Sequence, residues 1–239
     1  MRDQGNGHSA KRQPHSPRPA LSSWQGRAVY DPENIVNLLD YRYNPNKHMR
    51  YEADHKARTH QRILRNAARE LRAKGLNGPG VAGVMKASGL TVGGFYKHFQ
   101  NRDHLLVEAI EEGLTDFGGK LFAAMKQAAP EERWKEIVKW YLSEDHCRHA
   151  DTGCPLAALA PDIARAAPAI KKRIAGIMKE RRRQLLEFMP GRNAAEKGRN
   201  FNVMFTAMAG AVSMARMMPR PAERRRILSS VRDHLLKGF

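Results

Sequence analysis

The stretch that decides the fold of this chain is residues 81–100, VAGVMKASGLTVGGFYKHFQ. Residues 81–87 place apolar side chains on one helical face, and Gly89 ends this helix because glycine adopts the left-handed backbone conformation that other residues resist. Thr91 stands at a favoured N-cap position, where we expect its hydroxyl to accept a backbone N–H. A second short helix is predicted over 92–99. Two short helices joined by a glycine turn are typical of the helix-turn-helix, which enters the DNA major groove.

Helical patterns continue on both sides of this motif. Apolar residues at spacings of three and four predict a first helix over about 55–74, which Gly75 ends. Asn101 or Arg102 is expected to open the next helix, whose apolar stripe continues to Leu114. Beyond it the pattern stays helical, and no alternation with period two predicts a strand. The sequence therefore predicts an all-α protein.

Residues 58–114 resemble the tetracycline-repressor-like (TetR/AcrR) family of bacterial transcription regulators. The resemblance rests on the first helix, RTHQRILRNAARELRAKGL, and on the string GLTVGGFYKHFQNRDHLL, which combines several family positions at fixed spacing. One feature departs from the family pattern, because the second helix normally opens on Ser or Thr, whereas residues 77–80 here read Asn-Gly-Pro-Gly. This change removes a side-chain cap, unless Asn77 caps the helix from further out.

The resemblance implies a homodimer with two domains in each chain. An N-terminal three-helix helix-turn-helix DNA-binding domain is expected over 55–115, and a larger C-terminal helical ligand-binding and dimerisation domain over 116–239. The implied partners are double-stranded DNA with a near-palindromic operator and an unknown small-molecule effector. A dimer would place its two recognition helices roughly 34–36 Å apart, or a multiple of that distance.

DNA-binding residues are assigned by the same resemblance. The start of the recognition helix is expected to face the bases, and its later polar residues to contact phosphate or a base edge. Arginines of the first and fourth helices are placed for phosphate. The base-facing residues are Thr91, Val92 and Gly93, and the other contacts are assigned to Tyr96, Lys97, His98, Arg62 and Arg102. The alternative interpretation of the run 96–98 is an ordinary exposed helix face.

The net charge of +18 favours a polyanionic partner. Residues 58–107 contain nine Lys and Arg against two acidic residues, but residues 119–239 also contain an excess, 24 against 12. Basic runs such as 171–173, 181–183 and 224–226 are therefore interpreted as solvated helix faces. No apolar stretch has the length of a membrane span and no secretory signal is recognisable, so we expect a cytoplasmic bacterial protein, associated with the nucleoid when bound to DNA.

Residues 1–48 differ in composition from the rest of the chain. Residues 1–20 are rich in Pro, Ser, Arg and Gln, which predicts disorder, and Pro45 with its flanking asparagines is expected to end any short helix at 34–40. Because Met49 directly precedes the first family helix, our hypothesis is that translation starts there and that 1–48 is a mis-assigned extension. The alternative is a basic arm that adds phosphate contacts.

The C-terminal part is predicted as helices over 155–166, kinked at Pro161, and over 169–188, 194–218 and 222–236. Its aromatic and Met residues either line an effector pocket or form plain core, which is the commoner role. Small residues of the penultimate helix permit close helix approach, either across a dimer interface formed together with the last helix or within one protomer; these are Ala207, Gly210, Ala211 and Ala215. The candidate pocket residues are Trp134, Trp140, Tyr141, Phe188, Phe201, Phe205 and Met208.

Two cysteines, Cys147 and Cys154, do not form a disulfide framework. The His and Arg neighbours of Cys147 would lower the pKa of an exposed thiol, which makes redox sensing through these cysteines an alternative function. Together with His146 and His149 they offer metal-capable ligands, but the spacing matches no zinc pattern, so no metal is expected. Two unreactive thiols are the preferred interpretation.

The sequence favours a sequence-specific DNA-binding transcriptional regulator, and the leading hypothesis is a repressor that a small molecule releases from its operator. An enzyme is not expected, because no glycine-rich phosphate loop, Gly-x-Ser-x-Gly or His-Glu-x-x-His motif is present, and we predict no cofactor. A non-specific basic nucleic-acid-binding protein is a further alternative.

Overall fold

Helices are the only regular structure in the described residues, 45–78 and 80–239, of the computed structural model, with side chains described from residue 54 onward. This confirms the predicted all-α fold, with an N-terminal helix-turn-helix followed by a helical C-terminal part. Short 3-10 segments occupy Val92–Lys97, Pro130–Glu132 and Ala150–Thr152. The α-helices are α1 (Pro45–Lys74), α2 (Val81–Ala87), α3 (Arg102–Met125), α4 (Arg133–Tyr141), α5 (Glu144–Arg148), α6 (Pro155–Arg165), α7 (Pro168–Leu186), α8 (Ala194–Met217) and α9 (Pro221–Gly238).

The first helix starts earlier than predicted. It begins at Pro45, about ten residues before the expected start near His55. Proline is well accepted in the first turn of a helix, because its missing N–H needs no intrahelical partner there. The predicted end is confirmed, since Gly75 follows α1 with a φ of +79°. The predictions for residues 1–44 lie outside the described residues.

Side-chain caps and prolines begin several of the later helices. The Asn101 side chain accepts the His104 N–H at 2.9 Å at the start of α3, as predicted, and Asn193 caps α8 in the same way. Proline stands at the first position of α6, α7 and α9. The C-terminal helices consequently begin and end within about two residues of their predicted bounds.

Two buried hydrophobic clusters form the core. The N-terminal cluster joins α1, α2, the 3-10 segment Val92–Lys97 and the first half of α3, and it also includes Leu159 of α6 with Ile170 and Ile174 of α7. The C-terminal cluster joins the second half of α3 to α4, α5, α8 and α9. Because α3 runs without a break through both clusters, the predicted border between residues 115 and 116 falls inside one helix, and the domain bounds stay predictions. Within the described part of the chain, no helix is long and apolar enough to cross a lipid bilayer.

Candidate nucleic-acid interface

The turn after α2 is closed by backbone hydrogen bonds. Gly89 has a φ of +68°, in the left-handed region that glycine favours. The Leu90 N–H donates to the Met85 carbonyl at 2.9 Å. This is the glycine-terminated helix end that the sequence predicted at this position.

Asn66 of α1 holds the end of α2 in place, a role that the sequence reasoning missed. Its side-chain amide donates to the Ala87 carbonyl and to the Ser88 Oγ, both at 3.1 Å. The Ser88 hydroxyl in turn donates to the Val84 carbonyl at 2.8 Å. The last carbonyls of α2 are therefore satisfied by a neighbouring helix and by the turn itself. An asparagine inside a helical pattern is the one signal that could have indicated such a bond.

The recognition element, defined as Val92–Lys97, is a 3-10 helix and ends two residues before the predicted Phe99. Two adjacent glycines, Gly93 and Gly94, lie inside it, and each lowers α-helix propensity by about 1 kcal/mol relative to alanine. Thr91 occupies the N-cap position, but its side chain makes no capping hydrogen bond, so the predicted capping role of its hydroxyl is wrong. Thr91 is exposed.

Two phenylalanines anchor one face of the recognition element. Phe95 and Phe99 are 2% and 1% exposed, and their ring centroids lie 5.5 Å apart. The opposite face is open, because Tyr96 is 77% and Val92 51% exposed. Because these large side chains are exposed beside a tightly packed face, they form a surface that a partner can contact.

The structure places five of the predicted DNA-binding residues together on this open face. Lys97 is exposed, and a Cβ built on Gly93 would meet nothing within 4 Å. The surface over the recognition element is therefore free of other parts of the described chain. The five residues are Thr91, Val92, Gly93, Tyr96 and Lys97.

His98 lies at the edge of this face and is half-buried. Burial lowers the pKa of His98, and the neighbouring His60, Lys56 and Lys97 lower it further. The His60 and His98 ring centroids lie 5.9 Å apart, and the Nδ1 of His98 is buried without a hydrogen-bond partner in the described part of the chain. Phosphate contact by His98 stays a prediction.

The two predicted phosphate-binding arginines have different surroundings. Arg62 is exposed on α1. The half-buried Arg102 donates from Nη2 to the Leu76 carbonyl at 2.6 Å and so fastens the loop after α1 to the start of α3. This intramolecular bond gives Arg102 a structural role that the sequence did not predict, and phosphate binding by Arg102 stays a prediction.

The start of α2 has the free end that its loop sequence suggested. Gly80 is the N-cap residue, and no side chain caps the helix, so the alternative of a cap from Asn77 is not observed. Gly78 lies so close to α1 that an added Cβ would collide with the Cβ of Lys74. Close approach to α1, rather than helix capping, explains the glycine at position 78.

Polar contacts from the C-terminal part hold the base of the helix-turn-helix. The Asp162 carboxylate of α6 accepts the Leu76 N–H at 3.1 Å. The buried Arg72 of α1 donates from Nη1 to the carbonyls of Gly113 and Gly153, at 3.3 and 3.2 Å. Burial lowers the pKa of Arg72. The sequence reasoning missed both residues, although Arg72 follows Leu71 beside the apolar stripe of α1.

The predicted pocket residues pack within the C-terminal cluster. Phe201 and Phe205 stack with ring centroids 4.5 Å apart. The Tyr141 hydroxyl is fully buried and has no hydrogen-bond partner in the described part of the chain. Four of the seven residues are buried and three are partly buried, and the structure does not test their role as ligand contacts: Trp134, Tyr141, Phe201 and Met208, then Trp140, Phe188 and Phe205.

The alternative of a redox-reactive Cys147 required an exposed thiol. Cys147 and Cys154 are both buried, and burial raises the pKa of each thiol. His146 donates from Nδ1 to the Tyr141 carbonyl at 2.6 Å, and its Nε2 accepts the Cys154 N–H at 2.9 Å. The burial of both thiols disfavours redox sensing. Because both ring nitrogens of His146 are bonded within the fold, this residue has no free ligand atom for a metal.

The small residues of α8 divide between the core and the surface. Ala215 and Ala211 are buried against the C-terminal cluster, which supports packing within one protomer for these two residues. Gly210 is exposed. A stripe on the outer side of the same helix carries large exposed apolar side chains, with Val203, Met214 and Met217 exposed by 53%, 51% and 68%.

A comparison with protein families finds a match over the helix-turn-helix region. The sequence model of the bacterial regulatory proteins of the tetR family matches residues 63–109. The chain carries a TetR-family DNA-binding domain. These residues contain the turn, the recognition element and the start of α3, which are the parts that carry the resemblance in the sequence.

Solved transcriptional regulators, including two described as TetR-family members, share the fold over most of their length. A regulator from Chloroflexus aurantiacus aligns with a TM-score of 0.62 at 18% identity, covering 77% of this chain and 97% of that one. One from Cytophaga hutchinsonii gives 0.61 at 19% identity, covering 76% and 94%. FadR from Bacillus subtilis, solved in complex with stearoyl-CoA, gives 0.57 at 16% identity, covering 74% and 98%. A search of curated proteins found no match. The chain thus has the fold of a TetR-family transcriptional regulator.

Proposed function

We propose that this chain is a homodimeric repressor that binds a near-palindromic operator in the cytoplasm and leaves it when a small molecule binds the C-terminal part. The observation that supports DNA binding is that the recognition element has one buried face and one exposed face. Its Phe95 side is fixed in the core, while Val92 and Tyr96 project into open space. A rigid support with free side chains is what direct reading of base edges requires.

The outer stripe of α8 supports the homodimer. Val203, Met214 and Met217 lie on one side of the helix, and Gly210 between them leaves room for close approach of a second helix. Exposed apolar stripes of this kind are covered in the assembled state of many proteins. A two-fold dimer through this face would repeat the recognition element once for each operator half-site.

The contacts below the helix-turn-helix support release by a ligand. Leu159 and Ile170 lie in the same buried cluster as α1, and Asp162 bonds the loop after α1. A shift of α6 or α7 therefore changes the position of the DNA-binding helices. An effector that prefers the shifted state by about 1.4 kcal/mol can lower operator affinity by at most tenfold.

The C-terminal cluster is the proposed effector site. Its core is apolar and contains adaptable methionines such as Met204 and Met208. The buried Tyr141 hydroxyl has no hydrogen-bond partner in the described part of the chain, so a ligand that offers an acceptor would gain a hydrogen bond there. We propose an apolar effector with one polar group, which opens the packing between α4 and α8.

Selection of bound DNA from a random duplex pool tests the operator proposal. We expect the full chain to enrich a near-palindrome at near-physiological salt, and a Tyr96→Ala/Lys97→Ala variant to enrich nothing. A matched control, Lys171→Ala/Lys172→Ala, removes exposed lysines from α7 and should enrich the same sequence. Equal, salt-sensitive retention of all sequences would instead support the non-specific nucleic-acid-binding alternative.

A further inference from the structure

A groove between α5 and the first half of α9 is strongly basic. It consists of two adjoining open clefts, of about 240 and 620 Å³, which share Glu144, Arg225 and Leu228. Glu144 is the only carboxylate that lines the groove in the described part of the chain. Five guanidinium groups line it, from Arg148, Arg224, Arg225, Arg226 and Arg232.

Most of this positive charge has no partner. Glu144 is paired with Arg225 at 3.3 Å, and Arg232 with Asp233, which lies outside the groove, also at 3.3 Å. Within the described residues, Arg148, Arg224 and Arg226 make no ion pair. Arg148 and Arg224 line the smaller cleft and Arg226 lines the larger one, so each cleft holds positive charge that a bound anion would neutralise.

The start of α9 adds to the same field. Pro221 and Ala222 line the groove at the N-terminus of this 18-residue helix, and no side chain caps it. The positive end of the helix dipole therefore lies beside the arginines. The N–H groups of Glu223 and Arg224 already donate to the Arg220 carbonyl, and Glu223 lies in the same first turn, so the planar guanidinium groups are the main donors that phosphate oxygens would find here.

We propose that the α5–α9 groove binds a small molecule that carries two or more phosphate groups. The groove is lined by five arginines and one carboxylate, and this is more positive charge than a ligand with a single carboxylate would neutralise. Two joined clefts match neighbouring phosphates better than a single ion. The run 224–226 is then part of a binding site and not merely a solvated helix face.

The arginines of this site are separate from the proposed operator and effector sites, although Leu142, Cys147 and Leu228 beneath them belong to the C-terminal cluster. The groove residues lie on α5 and α9 and the adjoining turns, and none belongs to the recognition element, to the outer stripe of α8 or to the candidate pocket residues. Binding to it can therefore be measured without DNA, and its failure leaves the repressor proposal untouched.

Calorimetric titration of the full chain with inorganic tripolyphosphate at constant ionic strength tests the proposal. The groove variant is Arg148→Gln/Arg224→Gln/Arg226→Gln, and the matched control, Lys171→Gln/Lys172→Gln/Arg173→Gln, removes the same charge from an exposed face of α7. We expect one site per chain in the wild type and the control, and affinity weakened about tenfold or more in the groove variant. Far-UV circular dichroism checks that all three proteins are folded.

Two results would overturn the site. Equal weakening in both variants would show that overall charge, not the groove, attracts the anion. Unchanged tripolyphosphate binding in the groove variant, together with reduced binding of a duplex without operator, would assign the arginines to the DNA backbone. A second measurement needs no variant, because bound tripolyphosphate should slow hydrogen exchange at the backbone amides of residues 222–226, and unchanged exchange there contradicts the proposal.

Discussion

At the scale of single residues, neighbours in the recognition element have opposite surroundings. Phe95 is buried and the adjacent Tyr96 is almost fully exposed. This contrast could be predicted from the sequence, because a helical spacing of aromatic residues separates a core face from a free one. The bond from Arg102 to Leu76 could not, since it joins positions 26 residues apart whose meeting depends on the fold.

Lys97 is expected to bind one phosphate in each protomer. Replacing it by Ala should weaken binding to all duplexes alike and lower the slope of log affinity against log salt by about one for each phosphate that is no longer neutralised. The slope is obtained from fluorescence anisotropy titrations at several salt concentrations. Lys172→Ala on α7 is the control, and an unchanged slope in the Lys97 variant would exclude this residue from phosphate binding.

His146 should make the stability of the fold depend on pH. Burial lowers the pKa of His146 from the ordinary 6.5 to about 4, and both ring nitrogens are bonded in the neutral form. Because the unfolded chain binds this proton more readily, His146 lowers the free energy of unfolding by about 3 kcal/mol as the pH falls from about 6.5 to 4. Above pH 6.5 the residue has no such effect.

Urea unfolding across this pH range measures the contribution. The His146→Gln variant should be less stable at neutral pH and show a flatter decline in the free energy of unfolding below pH 6.5. His149→Gln, an exposed residue one position beyond the same helix, should follow the wild type. A His146 variant that declines as steeply as the wild type would place the pH dependence elsewhere.

At the scale of elements, the α-helices were predictable and their exact ends only partly so. Apolar spacing and side-chain caps such as Asn101 placed α3 correctly. The 3-10 form of the recognition element was missed because Gly93 and Gly94 weaken the α-helix locally, and pattern matching does not weigh that cost. The bond from Asn66 to the end of α2 was missed because nothing in a single sequence shows which helices become neighbours.

Gly78 and Gly80, in the loop between α1 and α2, should differ in their tolerance of alanine. Gly78→Ala places a Cβ against the Cβ of Lys74 and should destabilise the chain by about 1–3 kcal/mol. In Gly80→Ala the added Cβ has open space around it, and the φ of −68° at this position suits alanine. The free energy of unfolding is therefore expected to change by no more than about 0.5 kcal/mol. Thermal unfolding of the pair measures the difference, and equal stabilities would contradict the tight packing at Gly78.

At the scale of the whole molecule, the sequence indicated two helical parts but not how they join. The membership of Ile170 and Ile174 in the N-terminal cluster and the burial of Arg72 under Gly153 depend on long-range packing. The same limit applies to α8, where small residues suggested an interface and the structure buries Ala211 and Ala215 within the protomer. Local patterns do not reveal which face of a helix meets its own chain.

If the outer stripe of α8 forms the dimer interface, a charged side chain placed in it should weaken the dimer. Met214→Asp should shift the chain from dimer to monomer in sedimentation-velocity experiments, because an aspartate at the centre of an apolar interface loses its hydration without gaining a partner. Operator affinity should fall with it. Ala175→Asp on the exposed side of α7 adds the same charge and should leave the dimer intact. A dimer that survives Met214→Asp would place the interface on another face.

The central claim is that the recognition element reads DNA bases, and repeating the random-pool selection with a Val92→Asn variant tests it most directly. Val92 is exposed at the leading end of the element and is expected to contact a thymine methyl group. We predict that the variant enriches a different base at one position, changed symmetrically in both half-sites, while the rest of the sequence stays the same. Enrichment of the unaltered wild-type sequence would contradict this account.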